Sequence, residues 1–338
     1  MYNYIITAIK GKKKNLFILG CVILLCTFFN VNAQQIPLHS QYTFSPFALN
    51  PAATGADGYT TIILTNRNQW LGIEGAPRVY AASVQTRVMK RSHIFNNPYI
   101  KRRNKGLFHS GRVAFGFNVY NYHAGQIDHT GAQLTYAYHI VYKNKSQLSM
   151  GLSLGFMKYS INTDNLKLTD NINDPIYNSK ISLNIPDANL GIYYSDKRKF
   201  IGLSVIQLLQ ASVNFGLYED EDFRIYRQFY LLGGYKFFLN EQDALESSFY
   251  IKASEQLNLQ MDVTLKYVHN GKFWIGLGFR SGMTFIGTTG VCINRFYFGY
   301  AYDYSPKGLL NYSYGSHEVM LALKLGDNIR RYRYLDRY

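Results

Sequence analysis

The feature that most constrains this chain is an alternation of large apolar residues with small or polar ones, repeated along most of its length. Between Leu148 and Phe156, even-numbered positions carry leucine, methionine or phenylalanine, and odd-numbered positions carry serine or glycine. A β-strand sends successive side chains to opposite faces, whereas a helix would mix the two sets. The pattern therefore predicts strands with one apolar face and one face of small or polar residues.

Fourteen runs of this kind occur in the sequence. The predicted strands are 59–69, 79–88, 111–121, 130–142, 147–158, 187–195, 200–209, 228–239, 244–253, 257–269, 273–281, 285–293, 296–304 and 316–325. Bacterial barrels of the outer membrane have an even number of antiparallel strands, with short periplasmic turns and longer outer loops. An even number predicts that the first strand begins, and the last one ends, on the periplasmic side.

The connections agree with this orientation, because those after even-numbered strands from the fourth to the twelfth are tight. One of them, Asn270-Gly271, is a strong hairpin signal since both residues tolerate positive φ. Long connections such as 159–186, 210–227 and 305–315 follow odd-numbered strands. The connection 89–110 is the exception, because it is long and basic and yet is expected on the periplasmic side.

The composition favours a membrane barrel over a soluble sheet. The chain has 30 tyrosines and 22 phenylalanines, and aromatic girdles line both bilayer interfaces of such barrels. A soluble β-sandwich also alternates, but it rarely places so many aromatic residues opposite glycines. No segment after the N-terminal region has the ~18 apolar residues of a spanning helix. We predict an all-β fold, a closed antiparallel transmembrane β-barrel of about 14 strands over residues 59–325, because lipid leaves no open sheet edge hydrated.

The first residues have the pattern of a signal peptide, predicted over 1–33. A lysine-rich start precedes the apolar stretch 16–29, and Val31-Asn32-Ala33 fits a cleavage site before Gln34. An uncleaved anchor is the alternative. Cleavage would leave Cys292 as the single cysteine, so no intrachain disulfide is expected. The expected location is the outer membrane.

Cleavage would also lower the formal charge from +15 to +11, since it removes four lysines and no acids. Such a charge suits anionic lipid or an acidic partner, and an exported protein meets little nucleic acid. Two basic segments stand out, the connection 89–110 and the tail 326–338. They are either solvated charge runs or a periplasmic docking surface. The candidate partner contacts are Arg102, Arg103, Arg330, Arg331 and Arg333.

The segment 34–58 lacks alternation and contains three prolines. We predict that it plugs or caps the lumen. Asn50-Pro51-Ala52 also looks like the asparagine-proline-alanine turn of FadL-type barrels, which keeps uptake of a small or hydrophobic solute open as an alternative function.

Several ionisable residues fall on the face opposite the predicted lipid-facing set. They are Glu246, Lys252, Asp262, Lys266, Arg280, Asp303, Glu318 and Lys324. A lysine or arginine facing lipid would cost about 2–4 kcal/mol near the midplane, so these residues are expected inside the barrel. Structural ion pairing and a solute path are both open.

Signatures of catalysis are poor. His123, Asp128 and His129 are expected near one outer loop, but their spacing matches no common metal site. Gly276-x-Gly278 precedes no helix and is not a dinucleotide cradle. We therefore expect no enzyme activity, no catalytic residue, no cofactor and no bound metal.

Three ordered blocks carry a family resemblance. The first is Gln41-Tyr42-Thr43-Phe44-Ser45-Pro46, followed by Leu49-Asn50-Pro51-Ala52. The second is Arg67-x-Gln69-Trp70-Leu71-Gly72-Ile73-Glu74-Gly75-Ala76-Pro77, and the third is Gly315-Ser316-His317-Glu318. Together they resemble the PorP/SprF family of outer-membrane components of the type IX secretion and gliding machinery. The motif residues singled out as candidate loop or plug sites are Asn50, Pro51, Arg67, Gln69, Trp70, Gly72, Glu74, Gly75, Pro77, Gly315, Ser316, His317 and Glu318.

The resemblance implies a non-enzymatic role in secretion or gliding motility. It implies outer-membrane lipids and the periplasmic ring and lipoproteins of the type IX apparatus as partners, with a large secreted adhesin in some members. Whether this chain belongs to the core machine or serves one adhesin is left open by the residues.

Overall fold

We analysed a computed structural model of the chain. It describes residues 39–88, 108–142, 144–161, 182–210, 212–213, 223–256, 258–306 and 313–325. Within these ranges no helix is long and apolar enough to cross a membrane. The predicted signal peptide, residues 89–107 of the basic connection and the basic tail lie outside the described residues.

Sixteen strands are present in the described ranges. Their bounds are β1 Thr60–Asn68, β2 Arg78–Val88, β3 Phe108–Ala124, β4 Ile127–Tyr142, β5 Gln147–Ile161, β6 Ser182–Ser195, β7 Lys199–Ile206, β8 Ser212–Val213, β9 Phe223–Arg224, β10 Gln228–Phe238, β11 Asp243–Ser254, β12 Leu259–His269, β13 Phe273–Arg280, β14 Thr284–Ile293, β15 Phe296–Tyr304 and β16 Ser316–Leu325. All except β8 and β9, which form a small separate sheet, belong to one closed barrel. Every neighbouring pair is antiparallel, and β1 pairs with β16 to close the wall. The prediction of a closed barrel of 14 strands is confirmed.

The hairpin of β3 and β4 is longer than predicted. The predicted strands 111–121 and 130–142 continue to Ala124 and from Ile127, which leaves only Gly125-Gln126 as a turn. His123 and Asp128 are therefore opposite each other in the sheet, with Nδ1 of the histidine 2.6 Å from Oδ1 of the aspartate. Polar side chains do not prevent strand extension here, because the backbone of the hairpin pairs with itself.

The alternation sorts the side chains as predicted. Met150, Leu152, Leu154 and Phe156 are exposed on the outer face of β5, and Ser149 and Ser153 are buried on its inner face. The exposed row is the surface that a bilayer would cover. The eight inward ionisable residues share the parity of the buried set on their strands.

The barrel has two ends that differ in their connections. We call one the tight-turn end, where β1 begins and β16 ends and where the turns 196–198, 239–242, 270–272 and 294–295 lie. The opposite one is the long-loop end, where the loop 69–77 lies and where β15 ends and β16 begins. By the usual rule for bacterial barrels, the tight-turn end is expected in the periplasm.

The lumen is filled by residues 39–58, which we call the plug. It contains two short 3-10 turns, Pro46–Ala48 and Pro51–Ala53, each started by a proline whose missing N–H costs nothing there. Its large apolar side chains pack against the inner face of the wall, with Tyr42 beside Tyr250 and Phe44 beside Trp274. The core of this molecule is thus the inside of the barrel. Residues 34–38 of the predicted plug lie outside the described ranges.

Candidate functional site

Arg67 is at the centre of a buried cluster that joins the plug to the barrel seam. It lies directly opposite Glu318 in the β1–β16 pairing, so the closure of the barrel brings the two together. Its Nη1 lies 3.2 Å from Oε2 of Glu318, and its Nη2 lies 2.6 Å from Oδ2 of Asp303. All three side chains are at most 2% exposed, so these interactions are little weakened by solvent.

The plug enters this cluster through two consecutive residues. The backbone N–H groups of Ser40 and Gln41 donate to the two carboxylate oxygens of Glu318, at 2.8 and 3.0 Å. The Ser40 hydroxyl donates to Asp303 at 2.8 Å and accepts from Nη1 of Arg67 at 2.7 Å. Charged groups strengthen such hydrogen bonds. The start of the plug is therefore fixed to both sides of the seam.

A second arginine extends the cluster across the lumen. Arg280 donates to Asp262 at 2.8 Å through Nε and to Asp303 at 3.0 Å through Nη1. Its Nη2 donates to the Ser40 hydroxyl at 3.2 Å. Each arginine thus contacts two carboxylates, which compensates the cost of burying the charges. Burial lowers the pKa of the His39 imidazole in the plug, with nearby Glu318 opposing that shift and Arg67 adding to it.

Asn50 holds the middle of the plug against the opposite wall. Its Oδ1 accepts from the N–H of Ala52 at 2.9 Å, which caps the second 3-10 turn. Its Nδ2 donates to the carbonyl oxygens of Ile192 and Leu203, at 3.0 and 3.1 Å, on neighbouring strands β6 and β7. One amide therefore connects the plug to two strands of the wall.

Glycines make room for this contact. A β-carbon at Gly191 would lie 2.1 Å from Oδ1 of Asn50, and one at Gly202 would lie 2.7 Å from Nδ2. At Gly151 a β-carbon would lie 2.4 Å from the backbone nitrogen of Ala52. Since real β-carbons do not approach other atoms so closely, only glycine permits the plug to lie this near the wall.

The remaining motif residues organise the long-loop end. The N–H of Leu71 donates to the carbonyl of Gly315, and the N–H of Gly125 donates to the carbonyl of Gly75, both at 2.8 Å. The loop 69–77 is therefore bonded to hairpins on both sides. Gly72, Gly75 and Gly315 all have positive φ, which explains their glycines.

Other motif residues have different surroundings. The Gln69 N–H donates to the carbonyl of Pro77 at 2.8 Å, and the Trp70 N–H donates to the Ser316 hydroxyl at 3.2 Å. The His317 ring lies on the outer face, with Nδ1 2.7 Å from the Tyr300 hydroxyl. Glu74, singled out as a candidate loop site, is exposed and forms no ion pair with any described residue.

Sequence reasoning missed Ser40, although it directly precedes the first motif block. It placed Asp303 and Arg280 on the inner face but did not bring them to Arg67. Further inward residues form separate pairs, with Glu246 bridging Lys266 and Lys236 at 2.8 and 2.9 Å. The five arginines predicted as partner contacts lie outside the described residues. No metal-binding group of histidine, cysteine or carboxylate side chains occurs in the described ranges.

The family comparison agrees with the motif blocks now located in the lumen and loops. The family described as "Type IX secretion system membrane protein PorP/SprF" matches residues 31–323. The chain belongs to the PorP/SprF family. Its place is accordingly the outer membrane, as predicted. None of the curated proteins compared with the chain matches it.

Solved structures similar to this PorP/SprF chain are barrels of other kinds. The β domain of the Bordetella autotransporter BrkA is 9% identical, with a TM-score of 0.35, over 79% of this chain and 98% of that one. BamA from Haemophilus ducreyi lacking POTRA domains 1–3 is 7% identical, with a TM-score of 0.40, over 79% and 70%. A mutant of the monoaromatic hydrocarbon channel TodX is 9% identical, with a TM-score of 0.39, over 84% and 92%.

Proposed function

We propose that this PorP/SprF protein acts as a closed, non-enzymatic outer-membrane component of the type IX apparatus. In this role it supports export or surface attachment of a secreted adhesin and docks to periplasmic components of the machinery. The observation that supports the proposal is the anchored plug, because a protein that works as a diffusion pore requires an open lumen.

One cavity of the lumen lies beside the plug and is small. The cavity on the long-loop side of the plug measures about 90 Å³ and is lined by residues that include Gln41, Tyr120 and Glu318. One water requires about 10–15 Å³ on this scale. The cavity therefore takes a cluster of waters or one small molecule, and passage of a larger solute by this route requires the plug to move.

The charged residues of the lumen favour a structural role. Arg67 and Arg280 are each satisfied by two carboxylates, so neither offers a free charge to a passing solute. This arrangement argues against the alternative of a porin-like or FadL-like uptake barrel, and the Asn50 side chain is itself committed to the wall.

Planar-bilayer recording together with a secretion assay tests the proposal. The intact protein should conduct poorly, and deletion of residues 39–58 should raise the single-channel conductance. In cells, loss of the protein should reduce type IX cargo at the surface without reducing solute uptake. A large conductance of the intact protein, or an uptake defect with normal secretion, would support the uptake barrel instead.

A further inference from the structure

A second pocket opens beside the plug at the tight-turn end. It measures about 30 Å³ and its lining includes Thr43 of the plug together with Lys197, Arg198, Lys236, Glu246 and Lys266. The turn 196–198, the four strands β7, β10, β11 and β12, and the plug all contribute to it. Neither the arginine cluster nor Asn50 belongs to this pocket.

The lining of the pocket is strongly cationic. Four basic side chains surround a single carboxylate, that of Glu246, which lies 2.9 Å from Nζ of Lys236 and 2.8 Å from Nζ of Lys266. Lys197 and Arg198 are exposed and have no ion pair with any described residue. The nearest further acid in sequence is Asp196, and the pocket keeps a positive excess even when its charge is counted.

Hydrogen bonds of the turn fix the backbone that carries Lys197 and Arg198. The Asp196 side chain accepts from the backbone N–H of Arg198 at 2.7 Å and from that of Lys199 at 3.0 Å. The carbonyl of Arg198 in turn accepts from the N–H of Lys236 at 2.6 Å. Because the turn is bonded to itself and to β10, the backbone at Lys197 and Arg198 does not need to be ordered by a ligand.

Two of the ammonium groups converge on one ring. Nζ of Lys197 and Nζ of Lys236 lie 5.4 and 5.7 Å from the centre of the Phe238 ring. Both contacts are favourable cation–π interactions. They place both ammonium groups beside the same ring at the edge of the pocket.

We propose that this cationic pocket receives the carboxylate of an acidic peptide segment from a partner protein. The volume suits a single carboxylate and excludes a bulky group. Lys236, Glu246 and Lys266 lie on the inner face of the wall, so the pocket faces the mouth of the lumen and not the lipid belt. The inference rests on the proposed function, because that function has the protein dock to periplasmic components and the tight-turn end is expected in the periplasm.

The test measures binding of hexaglutamate amide to the purified full-length protein in a neutral detergent. The K197Q/R198Q variant should weaken binding about tenfold or more, because two charge-assisted contacts are lost. The matched control is K272Q/R295Q, which removes one lysine and one arginine from exposed turns at the same end, outside the pocket. The control should change the affinity by less than about threefold, since distant surface charges are screened.

Three results would overturn the inference. One is absence of binding to the wild type, and another is an equal loss in both variants, which would indicate general attraction to a basic rim. The third is native mass spectrometry in which phosphatidylglycerol, but not the peptide, is retained by the wild type and lost in K197Q/R198Q; the pocket would then be a lipid site. The binding assay contains no type IX component. Its failure would therefore not count against the proposed function, which the bilayer and secretion assays test separately.

Discussion

Substitution of Gly191 by alanine tests how the plug is held against the wall. The added β-carbon would lie 2.1 Å from Oδ1 of Asn50 and 3.2 Å from Cδ of Pro51, so the Asn50 side chain must move out of its place. Movement breaks the hydrogen bond to Ala52 and the two bonds to Ile192 and Leu203. At about 0.5–1.5 kcal/mol for each bond, the plug should lose about 1.5–4.5 kcal/mol of local stability.

Hydrogen exchange measured by mass spectrometry reports this loss directly. Peptides that cover residues 49–54 should exchange about ten- to a thousandfold faster in the variant, since about 1.4 kcal/mol corresponds to a factor of ten. Peptides from β12 and β13 should keep their protection, because the barrel ladder there is untouched. The control is Gly287→Ala, a strand glycine whose β-carbon would meet nothing within 4 Å.

A double-mutant cycle then separates the clash from a general loss of strand quality. In an Asn50→Ala background the atom that meets the new β-carbon is gone, so Gly191→Ala should add little further exchange. Additive effects of the two changes, or unaltered protection in Gly191→Ala alone, would contradict the inference that the Asn50 side chain holds the plug against β6 and β7.

Three more outcomes are expected. Arg67→Met should lower the free energy of unfolding in urea by about 3–5 kcal/mol, since it leaves the buried Glu318 carboxylate without a cation, whereas the exposed-site control Arg78→Met should have little effect. In a Cys292→Ser background, Leu154→Cys should resist a water-soluble maleimide because the side chain faces lipid. Ser153→Cys should resist the reagent in the intact protein and react once the plug is deleted. Ready labelling of both positions in the intact protein would contradict the register. Replacement of all five predicted contact arginines by glutamine should reduce co-purification with periplasmic type IX components, while the barrel stays heat-modifiable. Unchanged co-purification would contradict this surface and direct attention to the loop around Glu74. The five positions are Arg102, Arg103, Arg330, Arg331 and Arg333.

The sequence by itself determines the repeating part of this fold, namely the strands and their two faces. A period of two assigns each residue of a strand to one face, so the exposed row at Met150–Phe156 and the inward position of Glu318 follow from counting alone. Closure follows as well, because a membrane leaves no hydrated edge. Glycine and asparagine at 270–271 locate a turn through their φ angles.

Only the tertiary structure decided which inward residues meet. Arg67 and Glu318 are 251 residues apart in the chain, and they face each other because the first and last strands close the barrel. The alternation is the same in every strand. It therefore predicts that a side chain points into the lumen, but it does not predict which residue that side chain contacts there. The plug has no periodicity at all, and its place is set by contacts that exist only inside the closed barrel: Ser40 on the carboxylates of Glu318 and Asp303, and Asn50 in the space left by Gly191 and Gly202.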